Sequence, residues 1–283
     1  MKKARMSLRI FLFLLTIALA LTASLYLQQP GSVHAKETAP NGPITGWQYL
    51  ALGDSLAFGY QPNNDFTHGY ADLLAQRLQN EGLSEYVNMA CPGETSTTMN
   101  GQCPRPKLRK YPYQGSQLQA AVDYIKQHHN KFSVVTLTIG ANDVLPFINP
   151  QTCQIDDSSF NSALATLDAN LKDVILARLT EAMKVNGLKS GFILVTNYYN
   201  PFQNICPKSL PYIETLNQHL ANDVQGVGFT VDVFSAFGGE ETPNQHICTY
   251  TWMCSEYHDI HPTDEGYKVI ADAIDPVSLA ARK

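Results

Sequence analysis

The chain contains no CxxC pair and no cysteines set with histidine at zinc-finger spacing, which argues against a structural zinc site. HExxH, the P-loop and GxGxxG are all missing, so nothing marks a zinc peptidase, a nucleoside triphosphatase or a dinucleotide-binding unit. GxSxG is absent as well, which disfavours an α/β-hydrolase. There is no internal repeat and no low-complexity tract, and therefore no reason to divide the chain into a repeat array. Beyond the first 35 residues no segment is apolar enough to cross a membrane.

Positive charge is scarce once the amino terminus is set aside. Lys2, Lys3, Arg5 and Arg9 precede an apolar stretch from Ile10 to Leu27, and Val33-His34-Ala35 closes the segment with a small-x-small triplet. That order reads as an export signal over residues 1–35, with Lys36 as the mature start. The apolar stretch, at ~18 residues, is also long enough to serve as an uncleaved anchor; the triplet after the helix-breaking Pro30-Gly31 favours cleavage. Removing four of 20 basic residues and no acidic ones leaves sixteen against 25, a net charge of −9. Such a balance argues against nucleic acid or an anionic membrane surface as a partner, and no stable membrane insertion is expected after cleavage.

What remains fits one α/β domain over 46–283, preceded by a polar, flexible leader at 36–45. Strands are expected at Trp47 to Leu52, Tyr86 to Ala90, Phe132 to Ile139, Phe192 to Thr196 and Phe229 to Phe234. The third is almost continuously apolar and β-branched, as in a strand buried on both faces of a parallel sheet. Helical spacing of apolar residues marks Gly69 to Glu81, Gln114 to His128, Asp157 to Val185, Leu210 to Val224, and Thr263 to about Ile274. Alternation of this kind predicts a five-stranded parallel sheet covered on both faces. All six cysteines follow the signal, and an even count in an oxidising compartment implies disulfides, with 15 connectivities open.

Four polar segments fall beside predicted strand ends or the last helix: Gly53-Asp54-Ser55, the run Asn88 to Thr95 (NMACPGET), Gly140-Ala141-Asn142-Asp143, and His258-Asp259-Ile260-His261-Pro262. Together they hold the parts of an acyl transfer. Ser55 is a candidate nucleophile and His261 its base. The backbone N–H groups of Ser55 and Gly93 and the side-chain amide of Asn142 are candidate oxyanion donors. Among the other polar residues, Asp54 is expected to shape its turn or cap the following segment, and Asp143 to bond local backbone. His68, His219 and His246 show no metal-ligand spacing. The aromatic residues Phe147, Tyr198, Tyr199 and Phe202 are candidates for an acyl pocket or for ordinary packing.

Carried by Ser55 in GDS, Gly93 in CPGET, Asn142 in GAND and His261 before Pro262, with Gly266-Tyr267 downstream, the sequence resembles the GDSL, or SGNH, esterases and lipases. The resemblance spans about 50 to 275 and points to the secreted bacterial branch. It implies a flavodoxin-like three-layer α/β/α fold, Ser–His ester hydrolysis, no cofactor and no metal. A small ester or lipid is the implied substrate, acted on by a secreted monomer; a carbohydrate O-acetyl esterase or a phospholipase fits the same scaffold. A non-catalytic extracellular binding module is the competing class. The resemblance also implies that neighbouring cysteines pair, as Cys91–Cys103, Cys153–Cys206 and Cys248–Cys254. One departure from the family stands out. The usual aspartate three residues before the histidine is here His258, with Asp259 only two residues before His261. Either Asp259 or a backbone carbonyl is left to orient the imidazole.

Overall fold

Strand β1 (Trp47–Gly53) lies between β2 (Leu83–Asn88) and β3 (Phe132–Thr138), and β4 (Gly191–Thr196) and β5 (Phe229–Val231) extend the sheet beyond β3. All four pairings are parallel, giving the order 2-1-3-4-5. This is the flavodoxin-like arrangement, whose connections reverse direction between β1 and β3 and leave a crevice at the carboxyl ends of those strands. The computed structural model describes residues 46–281; the expected signal and leader over 1–45 lie outside the described residues. Among the described residues no helix is long and apolar enough to cross a membrane.

The β-branched composition of the central strands explains their place. From Gln48 to Gly53 and from Ser133 to Thr138 every residue is buried, as a parallel sheet covered on both faces requires. Helices α1 (Tyr70–Gln79) and α5 (Asp264–Ala281) pack together on one side. The other side holds α2 (Gln117–Gln127), α3 (Asp157–Asn170) and α4 (Leu210–Val224). Helix α1 buries Tyr70, Ala71, Leu74, Ala75 and Leu78, one stripe of a 3.6-residue period.

The differences from expectation have local causes. The second strand starts at Leu83 and ends at Asn88, because its first residues sit half exposed at the sheet edge and so lack an apolar run. β5 stops at Val231, where the Asp232 side chain accepts from the Ser235 amide and starts a helical turn. The long helix expected over Asp157 to Val185 is broken in two ways. A wider π turn occupies Leu171–Leu176 before helix resumes at Ala177–Ala182, and Lys184–Val185 pairs with Leu188–Lys189 across Asn186-Gly187. Both turn residues have positive φ, +52° and +80°, the geometry that Asn-Gly favours in a tight hairpin.

Three disulfides are present, Cys91–Cys103, Cys153–Cys206 and Cys248–Cys254. The first holds the loop that follows β2. The second joins the short hairpin of Ile148–Asn149 and Gln154–Ile155 to the turn leading into α4.

Candidate active site

β1 ends in Gly53 at φ +119°, so close to β3 that a Cβ there would stand 1.9 Å from the Thr138 carbonyl oxygen. No other residue fits without moving a strand. Asp54 follows as a helix cap, its Oδ1 accepting from the Leu56 amide at 2.8 Å, and Ser55 opens a one-turn helix to Phe58. Ser55 is thus fixed at the crevice by the close β1–β3 approach beneath it and the capped turn after it.

His261 arrives from the other end of the chain. Its Nε2 lies 2.8 Å from Ser55 Oγ, and its Nδ1 lies 2.6 Å from Asp259 Oδ1. The same carboxylate oxygen also accepts from the His261 backbone amide at 2.8 Å. The loop is held by Trp252 N donating to His261 O at 3.0 Å and by the Tyr199 hydroxyl donating to Ile260 O at 2.6 Å. His258 takes φ +46°, a left-handed turn uncommon outside glycine. The turn stands immediately before Asp259 and sends the chain back so that a carboxylate two residues from His261 meets its ring. The side chain of His258 faces Met253 O instead, at 3.3 Å. The Tyr60 ring packs against the imidazole with centroids 4.6 Å apart.

Asn142 and Gly93 come from the ends of β3 and β2. Asn142 donates through Nδ2 to the Glu94 carbonyl at 2.9 Å, which leaves its second amide hydrogen available, and it borders the same pocket as Ser55 and His261. Gly93 has φ +84° in the turn after Cys91, and the Cys91 amide donates to the Gly53 carbonyl at 2.9 Å. Gly93 is therefore tied to the strand that carries Ser55. Besides the expected bond with its own backbone, the Asp143 carboxylate accepts from the amide and hydroxyl of Ser96, at 3.0 and 2.6 Å. Asn142 and Asp143 together bind the third polar segment to the second.

Two buried carboxyls lie behind these groups. Burial pushes Asp54 up to about 6, against the opposing hydrogen bonds from the Tyr198 hydroxyl (2.7 Å) and the Leu56 amide. Burial likewise pushes Glu94 up to about 7; hydrogen bonds from Thr98 and Gln117 oppose it, as does the charge of Arg109. Its Oε1 has no hydrogen-bond partner among the described residues. Gln117 brackets Gly53, accepting from its amide at 2.6 Å and donating to its carbonyl at 3.0 Å, and donates to Glu94 Oε2 at 2.9 Å. In Asp259 burial also acts upward, but the bonds from the His261 ring and amide outweigh it and hold the carboxyl below its ordinary value. Perturbed carboxyls around a nucleophile and a histidine are characteristic of functional sites.

Neither Gln117 nor Glu94 stands out in the sequence, since a buried glutamine 64 positions from its partner leaves no local pattern. Of the four aromatic candidates, Tyr198 and Tyr199 border the pocket beside Ser55. Phe202 is buried, and Phe147 lines a separate open groove. His219 bonds Asp168 at 2.9 Å and His246 stacks on Tyr250. His68 Nδ1 lies 2.6 Å from Asp65, whose ligand atoms, with those of Asp264, fall within 4.8 Å of one another. Asp264 is itself bonded by Gln61 Nε2 at 2.7 Å, so this surface cluster is largely satisfied by protein donors.

A family model described as GDSL-like lipase/acylhydrolase matches residues 49–274. No curated protein matches the chain. Among solved structures, a lipase from a goat rumen metagenome is similar with a TM-score of 0.57 at 20% identity, covering 82% of this chain and 97% of that one. An extracellular lipase from Streptomyces rimosus gives 0.52 at 18%, over 82% and 100%. A mutant of an acetyl-xylooligosaccharide esterase from Geobacillus gives 0.51 at 17%, over 83% and 95%. At these identities the structural likeness is one of fold.

Proposed function

The chain belongs to the GDSL-like lipase/acylhydrolase family, and from that membership we propose that it is a secreted serine ester hydrolase with Ser55 as nucleophile. His261 takes the Ser55 proton through Nε2 as Oγ attacks the ester carbonyl, and passes it to the departing alcohol. Asp259 fixes the imidazole tautomer and stabilises the imidazolium that forms. The developing oxyanion is received by the backbone N–H groups of Ser55 and Gly93 and by Asn142. Water then resolves the acyl-enzyme, with His261 again as base. The observation that carries this reading is the unbroken series from Asp259 Oδ1 to His261 Nδ1, 2.6 Å, and from His261 Nε2 to Ser55 Oγ, 2.8 Å.

Export through residues 1–35 is the companion proposal, with a leader over 36–45 and one catalytic domain over 46–283 acting as a monomer. Three disulfides support it, since such bonds persist in oxidising compartments. Hydrolysis of p-nitrophenyl acetate by the purified protein, lost in Ser55→Ala without loss of folding, is the test. Hydrolysis retained in that variant refutes the assignment.

A further inference from the structure

The pocket beside Ser55 and His261 is lined by Leu145, Ile213, Leu216, Tyr198 and Tyr199 among others. Its free volume is about 30 Å³. Small-molecule sites commonly run to roughly 300–1,000 Å³, so this one is far smaller than a site built for a long acyl chain. An acetyl group is the acyl group that suits so small a space best.

The walls are not easily displaced. Ile213, Leu216, Tyr198 and Tyr199 are buried core residues. The Tyr198 hydroxyl is bonded to Asp54 Oδ2 at 2.7 Å and that of Tyr199 to Ile260 O at 2.6 Å, so neither ring is free to swing aside. Rotation of either would strand a buried polar group. Leu145 is half-buried, as is Ile260 in the same lining.

A separate open groove of about 900 Å³ is lined by Pro146, Phe147, Lys208, Pro211 and Tyr212 among others. The backbone passes from pocket to groove twice, between Leu145 and Pro146 and between Ile213 and Tyr212. The lining of the groove thus follows directly along the chain on that of the pocket.

We infer that the substrates are esters of very short acids, acetate above all, and that Leu145 and Ile213 are the residues that set the acyl limit. The inference rests on the serine-esterase reading. A small apolar pocket with fixed walls rejects longer acyl groups by excluded volume, and one surplus methylene in a filled apolar site changes specificity by about 10-fold or more. Leu145 is the better wall to remove, because truncating fully buried Ile213 also leaves a cavity in the core.

The test uses the purified full chain and p-nitrophenyl acetate, butyrate, hexanoate and octanoate. kcat/KM is expected to fall along the series, by about 10-fold or more from acetate to butyrate. Leu145→Ala is expected to raise the octanoate-to-acetate ratio by about 10-fold or more. Octanoate hydrolysed as well as acetate by the unaltered protein overturns the inference, whatever the variant does. An unchanged ratio in folded Leu145→Ala overturns the role of that wall. Labelling with a small ethoxy fluorophosphonate separates this from the underlying reading. A labelled protein that prefers octanoate keeps its serine and loses the short-acyl inference; a folded protein that neither labels nor hydrolyses any of the esters loses both.

Discussion

One oxygen of Asp259 serves His261 twice, lying 2.6 Å from the ring Nδ1 and 2.8 Å from the backbone nitrogen of the same residue. The backbone bond fixes the carboxylate relative to the residue it orients, so the ring has a defined acceptor although the spacing is one residue shorter than usual. On this geometry Asp259→Asn loses turnover strongly, by up to ~10⁴-fold as in a serine protease triad, because the amide can hold the wrong tautomer in place. Melting temperature is expected to change little. His258→Gly, which suits the left-handed turn at φ +46°, is the companion variant and retains most of the activity. kcat/KM of both with p-nitrophenyl acetate checks the pair. Turnover of Asp259→Asn within a few-fold of the unaltered enzyme assigns the orienting role elsewhere.

Asn142 has a bond to Glu94 O and a second amide hydrogen for the substrate. Asn142→Ala is expected to lower kcat by about 100- to 1,000-fold with little change in KM, since an oxyanion donor acts on the transition state. A change confined to KM contradicts the role.

The buried Glu94 carboxyl gives a pH signature in stability. Its folded value is raised to about 7 from an ordinary 4.5, so between those values the unfolded chain has released a proton that the folded chain retains. Folding stability therefore falls as pH rises through that window and stays lowered above it. The neutral isostere Glu94→Gln removes this contribution. Its stability relative to the unaltered protein should improve from about pH 4.5 to about pH 7, by up to about 3 kcal/mol, and then level off. Urea unfolding across that range measures it; a difference that does not vary with pH refutes the assignment.

The Cys91–Cys103 bond, with a sequence separation of 12, closes the loop that carries Gly93. Replacing both cysteines by serine is expected to cost about 3 kcal/mol on the chain-entropy account. It should also lower kcat, because the bond restrains the loop that carries Gly93. Loss of stability with kcat intact separates the loop constraint from the catalytic placement.

How much of this was legible in the sequence follows from the range of the interactions concerned. β1 and β3 could be read directly, because burial on both faces leaves a continuous apolar and β-branched run. The four polar segments were legible as loops beside strand ends and the last helix, and their residues Ser55, Asp259 and His261 meet in hydrogen-bonding contact although the third is 206 positions from the first. The break after Asn170 was missed because a π turn keeps the helical apolar spacing nearly unchanged. The Asn186-Gly187 hairpin carried a turn signal that the helical pattern hid. Glu94 fell inside a polar segment marked for another residue, and Gln117 and the meeting of Leu145 with Ile213 beside Ser55 gave no signal at all, since both depend on where distant segments pack. The Asp143–Ser96 bonds were out of reach for the same reason, since the two residues are 47 positions apart.

The most direct measurement of the central claim is the site of covalent modification. The purified chain treated with an ethoxy fluorophosphonate, digested and mapped by mass spectrometry is predicted to carry a single adduct on Ser55. That adduct should disappear in Ser55→Ala and fall sharply in His261→Ala, in step with p-nitrophenyl acetate hydrolysis. An adduct on another residue, or ester hydrolysis that survives in a folded Ser55→Ala protein, contradicts the account.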